Sequence, residues 1–313
     1  MKAIILTTAG GPENFLLAEL PKPVPGPGEV LIRIAAISIN PIDWKTRSGK
    51  GAWPLVAQIQ PLVLGWDVSG VIESVGPDAG HFLPGDSVFG MVNYPGSGGC
   101  YAGYVTAPAS QLAKKPEHIS HGQAAATTLA ALTAWDALFT HGHLASGQKV
   151  LIHAAAGGVG HFAVQLAKNA GAHVAGTASA EKADFLRGLG IDEHVDYKNE
   201  DFSTRVQDVD LVVDTIGGDT FDRSLKTLKP GGLIVTLPSG YVDDPAGKAA
   251  AGGRRGIHVK VSASATNMQH LAALLENGKL IPHIDREFSL EQMADAHREL
   301  QKGRTTGKII LYP

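Results

Sequence analysis

The chain has almost no cysteine and no excess of either charge. Cys100 is the only cysteine among 313 residues, so neither an intrachain disulfide nor a zinc site built from several cysteines can form. The 27 lysine and arginine residues nearly balance 30 aspartate and glutamate residues, which gives a net charge of -3. Because proteins that bind polyanions carry a basic surface, nucleic acid is not expected as a partner.

Long hydrophobic runs are also missing. The first fifteen residues contain an apolar run of only residues 3–6, too short for the core of a signal peptide. The longest weakly charged stretch, residues 123–144, is interrupted by Asp136 and two histidines and falls short of about 18 consecutive apolar residues. The sequence therefore predicts no membrane span and no export. Together with the scarcity of cysteine, this favours a cytoplasmic location.

Glycine is abundant, with 38 residues spread along the chain, and the pattern around it changes once. Up to about residue 120, short apolar runs separated by proline and glycine predict a β-rich domain. Beyond residue 123, helical patterns alternate with valine- and isoleucine-rich strands, which is typical of a parallel sheet covered on both faces. The predicted strands there are residues 149–153, 173–177, 209–214, 232–237 and 258–261. The tail returns to the first pattern, so we expect a β-rich domain of residues 1–125, completed by 280–313, and an α/β domain of residues 126–279.

The segment KVLIHAAAGGVGHFAVQLAK, residues 149–168, runs from an apolar strand through a turn of small residues into an amphipathic helix. Aligned with the G-x-G-x-x-G fingerprint, Ala155, Gly157 and Gly160 take the three special positions. Small residues let a pyrophosphate approach the backbone, and the start of the helix supplies free N–H groups. The segment predicts a dinucleotide site formed by Ala156, Gly157, Gly158, Val159 and Gly160. The alternative is a tight turn that needs glycine for packing alone.

The second strand of this domain ends about 20 residues after the loop, where NAD sites usually carry an acid for the ribose. Thr177 stands there, followed by Ala178 and Ser179. Because a carboxylate would repel a 2′-phosphate, its absence, together with the Ser179 hydroxyl and the Lys182 cation, favours NADPH. Lys182 could instead be an ordinary solvated helix residue.

Eight segments, one of which is the glycine-rich loop, have an order and spacing that together are more specific than any one of them. They are residues 35–49, 63–76, 84–90, 130–138, 154–160, 214–218, 229–232 and 305–311. With these segments the chain resembles the zinc-independent quinone oxidoreductase and enone reductase group of the medium-chain dehydrogenase/reductase superfamily. The resemblance implies a Rossmann doubly wound parallel sheet, a GroES-like catalytic domain and a homodimer. In the dimer the Rossmann sheets join at their edges, with residues 233–237 as a candidate edge strand.

The resemblance also bears on metal. In zinc-dependent relatives a cysteine stands at the position of Asn40, and a His-Glu pair stands at those of Trp66 and Asp67. Neither Asn40 nor Trp66 is a zinc ligand, so no metal is expected. His141 and His143 lack a thiol or carboxylate at ligand spacing.

The expected reaction is hydride transfer from NADPH to a quinone or an α,β-unsaturated carbonyl. Simple alcohol oxidation would lose the Lewis acid that a metal provides, whereas a conjugated acceptor is already activated. Asn40 is the candidate donor to the oxygen that becomes negative, and Asp43 the candidate to orient a neighbour or relay a proton. Alternatively, the sequence N-P-I-D serves only to start a helix.

Other cofactor contacts are implied by the resemblance alone. Thr133 is expected near the nicotinamide and Tyr197 near the phosphate of the adenosine. The backbone at Ile216 and Leu237 is expected along the cofactor, and Thr305 and Thr306 are expected to close over it. Tyr197 could instead only cover the sheet edge, and Thr133 could bond within its helix.

Two other functions stay open at this point. An enoyl thioester reductase would need a basic patch for a phosphopantetheine group, for which Arg254, Arg255 and Lys260 are candidates. A non-catalytic NADPH-binding scaffold or sensor would carry the same glycine-rich loop as an enzyme.

Overall fold

A computed structural model describes residues 1–313. Its strands are β1 (Lys2–Leu6), β2 (Phe15–Glu19), β3 (Glu29–Ile39), β4 (Leu62–Val63), β5 (Asp67–Val75), β6 (Ser87–Met91), β7 (Tyr104–Pro108), β8 (Leu112–Lys114), β9 (Lys149–Ile152), β10 (His173–Ala178), β11 (Glu193–Asp196), β12 (Val209–Asp214), β13 (Leu228–Thr236), β14 (Arg255–His258), β15 (Ile284–Ser289) and β16 (Lys308–Tyr312). Its helices are α1 (Pro41–Arg47), α2 (Trp53–Val56), α3 (His121–Trp135), α4 (Gly160–Asn169), α5 (Ala183–Gly188), α6 (Phe202–Arg205), α7 (Asp219–Ser224), α8 (Pro245–Ala250), α9 (Ala265–Glu276) and α10 (Met293–Gln301). None of these helices has both the length and the apolar character that crossing a membrane requires.

The first compact unit, Met1–Leu132 with Ser262–Pro313, is the β-rich part of the fold. One sheet has the order β2-β1-β4, and the other has the order β15-β16-β3-β5-β6-β8 with β7 also paired to β3. The long strand β3 pairs antiparallel with β5, β7 and β16. Its side chains Val30, Ile32 and Ile34 belong to the apolar core of this unit. The expected β-rich GroES-like domain is confirmed.

The second unit, Thr133–Val261, carries a six-stranded sheet in the order β11-β10-β9-β12-β13-β14. Every neighbouring pair in it is parallel. The chain builds outward from β9 to β11 and then returns to build outward from β12, so the strand order reverses between β9 and β12. Ligands bind at such a reversal in doubly wound sheets. The predicted Rossmann fold is therefore confirmed, and β11 is a strand that the sequence patterns did not reveal.

The boundaries between the units differ from the expected ones. They fall at 132/133 and 261/262, whereas the sequence predicts 125/126 and 279/280. Helix α9 accounts for most of the second difference, because it packs beside β8 and buries Met268, Leu271 and Leu275.

The predicted edge strand is wrong. Residues 233–236 belong to β13, which pairs with β12 on one side and with β14 on the other. The backbone groups of β13 are therefore used on both sides, and β14 forms the edge. The sequence predicts a strand at residues 258–261, whereas β14 spans Arg255–His258, because RGIH has too little apolar alternation for its bounds to be recognised.

Candidate functional site

The glycine-rich loop follows β9 and makes a tight turn. Ala154 has a φ of 46°, in the left-handed region, and the N–H of Gly157 donates to the carbonyl of Ala154 over 2.8 Å. A Cβ at Gly160 would lie 2.2 Å from the Ala154 oxygen and 2.7 Å from the Ala155 Cα. A Cβ at Gly157 would meet only the Ala154 oxygen within close range, at 3.1 Å. Gly160 is therefore required for the loop to fold, whereas Gly157 has more room on its side-chain face.

The same loop presents unpaired backbone donors. The N–H groups of Gly158 and Val159 have no hydrogen-bond partner within the chain. Val159 directly precedes α4, in which every residue from Gly160 to Ala167 is buried. Unpaired N–H groups and the positive end of a helix dipole at one place favour an anionic ligand.

The buried residue His153 is joined to the start of this loop by hydrogen bonds through Thr177. Burial lowers the pKa of His153 to about 3, so its ring is neutral. The Ser224 hydroxyl donates to the Thr220 carbonyl, so it accepts from Nε2–H of His153 at 2.8 Å. Nδ1 of His153 then accepts from the Thr177 hydroxyl at 3.1 Å, and that hydroxyl accepts from the N–H of Ala154. The Thr177 side chain thus joins the ends of β9 and β10, and its contact with a ribose stays a prediction.

The neutral state of His153 predicts a pH dependence of stability. Its folded pKa, about 3, lies below the ordinary value of 6.5, so the unfolded chain binds the extra proton between these values. Stability should therefore fall as the pH is lowered through this window, by about 1.4 kcal/mol per pH unit from this group. We expect His153→Gln, which retains a donor to Ser224, to show a correspondingly shallower dependence in urea unfolding. An unchanged slope in the variant would contradict the assignment.

Ser179 lies beside the carboxylate of Glu181. Its hydroxyl donates to Oε2 of Glu181 at 2.8 Å, and Lys198 contacts Oε1 of Glu181 at 3.3 Å. The hydrogen bond from Ser179 lowers the pKa of Glu181. Lys182 follows in the turn before α5, and the Tyr197 side chain is exposed. The binding of a phosphate by Ser179, Lys182 and Tyr197 stays a prediction, and Glu181 is an acid that would compete with a phosphate for the Ser179 hydroxyl.

Asp214, at the end of β12, organises the next loop. Its Oδ1 accepts from the N–H groups of Ile216 and Gly217, both at 2.9 Å, and its Oδ2 accepts from the Thr236 hydroxyl at 3.0 Å. The Asp214 carbonyl accepts from the N–H of Leu237. Burial raises the pKa of Asp214. This residue therefore fixes both predicted backbone positions, Ile216 and Leu237. The sequence could have indicated this role, because Asp214 is an acid that stands between an apolar strand and the turn sequence T-I-G-G.

The first unit contains a buried polar cluster around Asn40. The N–H of Asn40 donates to Oδ2 of Asp43 at 2.6 Å, so Asp43 fixes the start of α1. The side-chain Nδ2 of Asn40 donates to Oδ2 of Asp67 at 2.7 Å. Nζ of Lys308 donates to Oδ1 of Asn40 and to the Ile39 carbonyl, the latter at 3.0 Å. The structure thus brings the predicted pair Asn40 and Asp43 together with two residues that the sequence did not single out as functional.

Burial controls the charges in this cluster. Burial, followed by the nearby Asp67 carboxylate, raises the pKa of Asp43 to about 7. Burial also raises the pKa of Asp67 and lowers the pKa of Lys308. The cluster therefore contains two carboxyl groups and one amino group, all of them buried.

The cluster does not fit zinc. It offers the Asn40 amide oxygen and carboxylates but no imidazole or thiolate in ligand contact, and no three acidic, histidine or cysteine side chains form a metal-binding group. Lys308 already donates to the amide oxygen that a cation would need.

The remaining predicted positions belong to different parts of the chain. Thr133, which is buried, lies near the end of α3 and begins the second unit. Thr305 and Thr306 are half-buried in the turn before β16, within the first unit.

Among the candidates for a basic patch, Arg254 donates to the Leu228 and Gly252 carbonyls, and Arg255 donates to the Gly231 carbonyl. Both guanidinium groups therefore already donate hydrogen bonds to backbone carbonyls.

Two family models match the chain. An alcohol dehydrogenase GroES-like domain matches residues 26–117, and a zinc-binding dehydrogenase matches residues 189–311. The 2-methylene-furan-3-one reductase of Solanum lycopersicum is 34% identical, over 91% of this chain and 72% of that protein. The chloroplast envelope quinone oxidoreductase homolog of Arabidopsis thaliana is 32% identical, over 97% of this chain and 95% of that protein.

Solved structures resemble the fold over its whole length. The quinone oxidoreductase from Coxiella burnetii has a TM-score of 0.96 and 36% identity, covering 100% of this chain and 99% of the other. The Escherichia coli quinone oxidoreductase complexed with NADPH has a TM-score of 0.91 and 29% identity, covering 100% of both chains.

Proposed function

This chain belongs to the quinone oxidoreductase group of the medium-chain dehydrogenase/reductase superfamily, and from that premise we propose that it is an NADPH-dependent oxidoreductase acting on a quinone or an α,β-unsaturated carbonyl. The observation that carries the proposal is the pair of unpaired N–H groups, Gly158 and Val159, at the start of α4. They lie in the loop after β9, where the strand order of the sheet reverses. The likeness to a quinone oxidoreductase complexed with NADPH supports the same cofactor.

In this proposal the second unit holds NADPH, whose nicotinamide supplies the hydride when bound. The N–H groups of the loop bind the pyrophosphate, and Ser179, Lys182 and Tyr197 bind the 2′-phosphate. The proposed cofactor contacts also include the backbone of Ile216 and Leu237 and the side chains of Thr133, Thr305 and Thr306. The first unit holds the acceptor.

Asn40 is the proposed catalytic residue in the first unit. One Nδ2 hydrogen is used by Asp67, which leaves the second available to the acceptor oxygen as that oxygen becomes negative. Asp43 serves by fixing the backbone of Asn40. The oxygen finally takes a proton from water, so no step requires a metal.

A panel of acceptors tests the function. Purified protein is mixed with NADPH and a naphthoquinone, an alkenone or crotonyl-CoA, and loss of the reduced nicotinamide absorbance is followed. We expect oxidation with the quinone or the alkenone. Oxidation with crotonyl-CoA alone would identify an enoyl thioester reductase, and binding without oxidation of any kind would identify a scaffold or sensor.

Cofactor choice depends on the charges near Ser179. We expect NADPH to bind at least about tenfold more tightly than NADH, because cationic hydrogen bonds to a phosphate contribute on the order of 1–3 kcal/mol. Lys182→Ala should narrow the difference and Glu181→Gln should widen it, whereas Lys226→Ala, an exposed lysine outside this site, should change neither affinity. Fluorescence titration with both cofactors measures this. Equal affinities in the unsubstituted protein would contradict the assignment.

We further propose a homodimer joined at the edge of the second-unit sheet. Strand β14 has a neighbour on one side only, and an uncovered edge strand tends to pair with another chain. Light scattering at micromolar concentration should give the mass of two chains, and the mass of one chain would contradict the proposal.

We also propose that the protein is metal-free and cytoplasmic. The donor set around Asn40, which lacks imidazole and thiolate ligands, supports the first point. The single, buried cysteine supports the second, since it fits a reducing compartment. Elemental analysis and cell fractionation test these two points.

A further inference from the structure

Lys308 is the most buried lysine of the first unit. A contribution to the stability of the fold does not by itself explain why a lysine is buried there. The residue is 3% exposed, and its Nζ lies 4.0 Å from Oδ2 of the fully buried Asp67. Removing an ammonium and a carboxylate from water costs several kcal/mol for each ion, and apolar side chains of similar volume often stabilise a protein as well or better. A buried pair of this kind therefore points to another role.

The position of Lys308 follows from strand register. Strands β16 and β3 pair antiparallel with Ile309 opposite Ile39, so the preceding residue of β16 lies beside Asn40, which follows β3. As a result, Nζ of Lys308 donates a hydrogen bond to Oδ1 of Asn40, although the two residues are 268 positions apart in the chain.

This contact fixes the orientation of the Asn40 carboxamide. An ammonium only donates, so the amide oxygen must face Lys308, and a carboxylate accepts, so the amide nitrogen must face Asp67. Lys308 thus holds Oδ1 and Asp67 holds Nδ2. Because the carboxamide is planar, these two hydrogen bonds also fix the direction of the second Nδ2 hydrogen. A donor to the amide oxygen also makes the amide N–H a stronger donor, because hydrogen bonds in a chain polarise one another.

We propose that Lys308 is a positioning residue that acts through Asn40, holding and polarising the carboxamide so that its second N–H binds the acceptor oxygen during reduction. This inference rests on the proposed function. Hydride brings one proton and two electrons and forms a new C–H bond at the acceptor carbon. The π electron pair moves to the oxygen, whose charge is bound by Asn40 until water supplies a proton. The chain's own ammonium thus provides the electrophilic assistance that a metal ion would otherwise give.

The inference predicts a specific kinetic defect. Lys308→Met retains length and removes charge, so we expect kcat with an alkenone at saturating NADPH to fall about tenfold or more, since loss of one preorganised donor in an enzyme costs about 100-fold or more. The affinity for NADPH, measured by fluorescence, should stay unchanged. The loss should be smaller with a strongly oxidising quinone, because its reduction needs less stabilisation of the developing negative charge. Lys114→Met, which removes an exposed ion pair with Asp86, serves as the matched control with unchanged kcat.

A second variant separates positioning from simple charge balance. Asp67→Asn with Lys308→Met removes both buried charges and retains an amide oxygen that can accept from Asn40. We expect this double variant to recover the thermal stability that Lys308→Met loses while kcat with the alkenone stays low. Recovery of kcat together with stability would overturn the inference, as would an equal loss with both acceptors or an unchanged kcat in Lys308→Met. Absence of turnover in the unsubstituted protein would instead reject the proposed function.

Discussion

Gly160→Ala should lower the affinity for NADPH by about 100-fold, equivalent to about 2.7 kcal/mol. The added Cβ would lie 2.2 Å from the Ala154 oxygen and 2.7 Å from the Ala155 Cα. Both are backbone atoms, so relief requires the turn after β9 to move. Such overpacking costs about 1–3 kcal/mol or more and displaces the N–H groups that are proposed to bind the pyrophosphate.

The matched control is Gly157→Ala in the same loop. Its Cβ would have the Ala154 oxygen as its one close neighbour, at 3.1 Å, so the fold should change little. Thermal unfolding should therefore show a clear loss for Gly160→Ala and a small loss for Gly157→Ala, and fluorescence titration gives the two affinities for NADPH. Unchanged stability and affinity in Gly160→Ala would contradict the role assigned to this loop.

Asp214→Ala should destabilise the second unit by about 3–5 kcal/mol, because each buried polar group left without a partner costs about 1–3 kcal/mol. The substitution orphans the N–H groups of Ile216 and Gly217 and the hydroxyl of Thr236. Since these bonds join the ends of β12 and β13, affinity for NADPH should fall as well.

Asp214→Asn is the informative comparison. Its amide oxygen can still accept from both N–H groups, and its nitrogen can donate to the oxygen of Thr236. We expect urea unfolding to show a much smaller loss than for Asp214→Ala, and Asp219→Ala, on an exposed surface, to show almost none. Equal losses in the two Asp214 variants would mean that the carboxylate charge, rather than the hydrogen bonds, determines the stability of this loop.

Features that depend on local sequence could be predicted. The loop at Gly157 and Gly160 and the helix that follows it could be predicted from spacing within about twenty residues, because backbone conformation and helix periodicity are local properties. The alternating strands and helices likewise predicted a parallel sheet covered on both faces.

Features that depend on distant pairing could not be predicted. The contact between Lys308 and Asn40 arises from the register of β16 against β3, which no local pattern specifies. The edge strand was misassigned because β14 is short and weakly apolar. Glu181 was missed for a different reason: it lies only two residues from Ser179, but the direction of its side chain back to the Ser179 hydroxyl is not visible in the sequence.

The central claim is direct hydride transfer from bound NADPH to a conjugated acceptor. The most direct measurement uses NADPH labelled with deuterium at the hydride that is transferred, an alkenone, and mass spectrometry of the product. The account predicts deuterium on the carbon β to the carbonyl and none in a reaction without protein. The experiment is done with NADPH labelled on one face of the nicotinamide and then on the other. A reduced product that contains no deuterium in both cases would contradict direct hydride transfer.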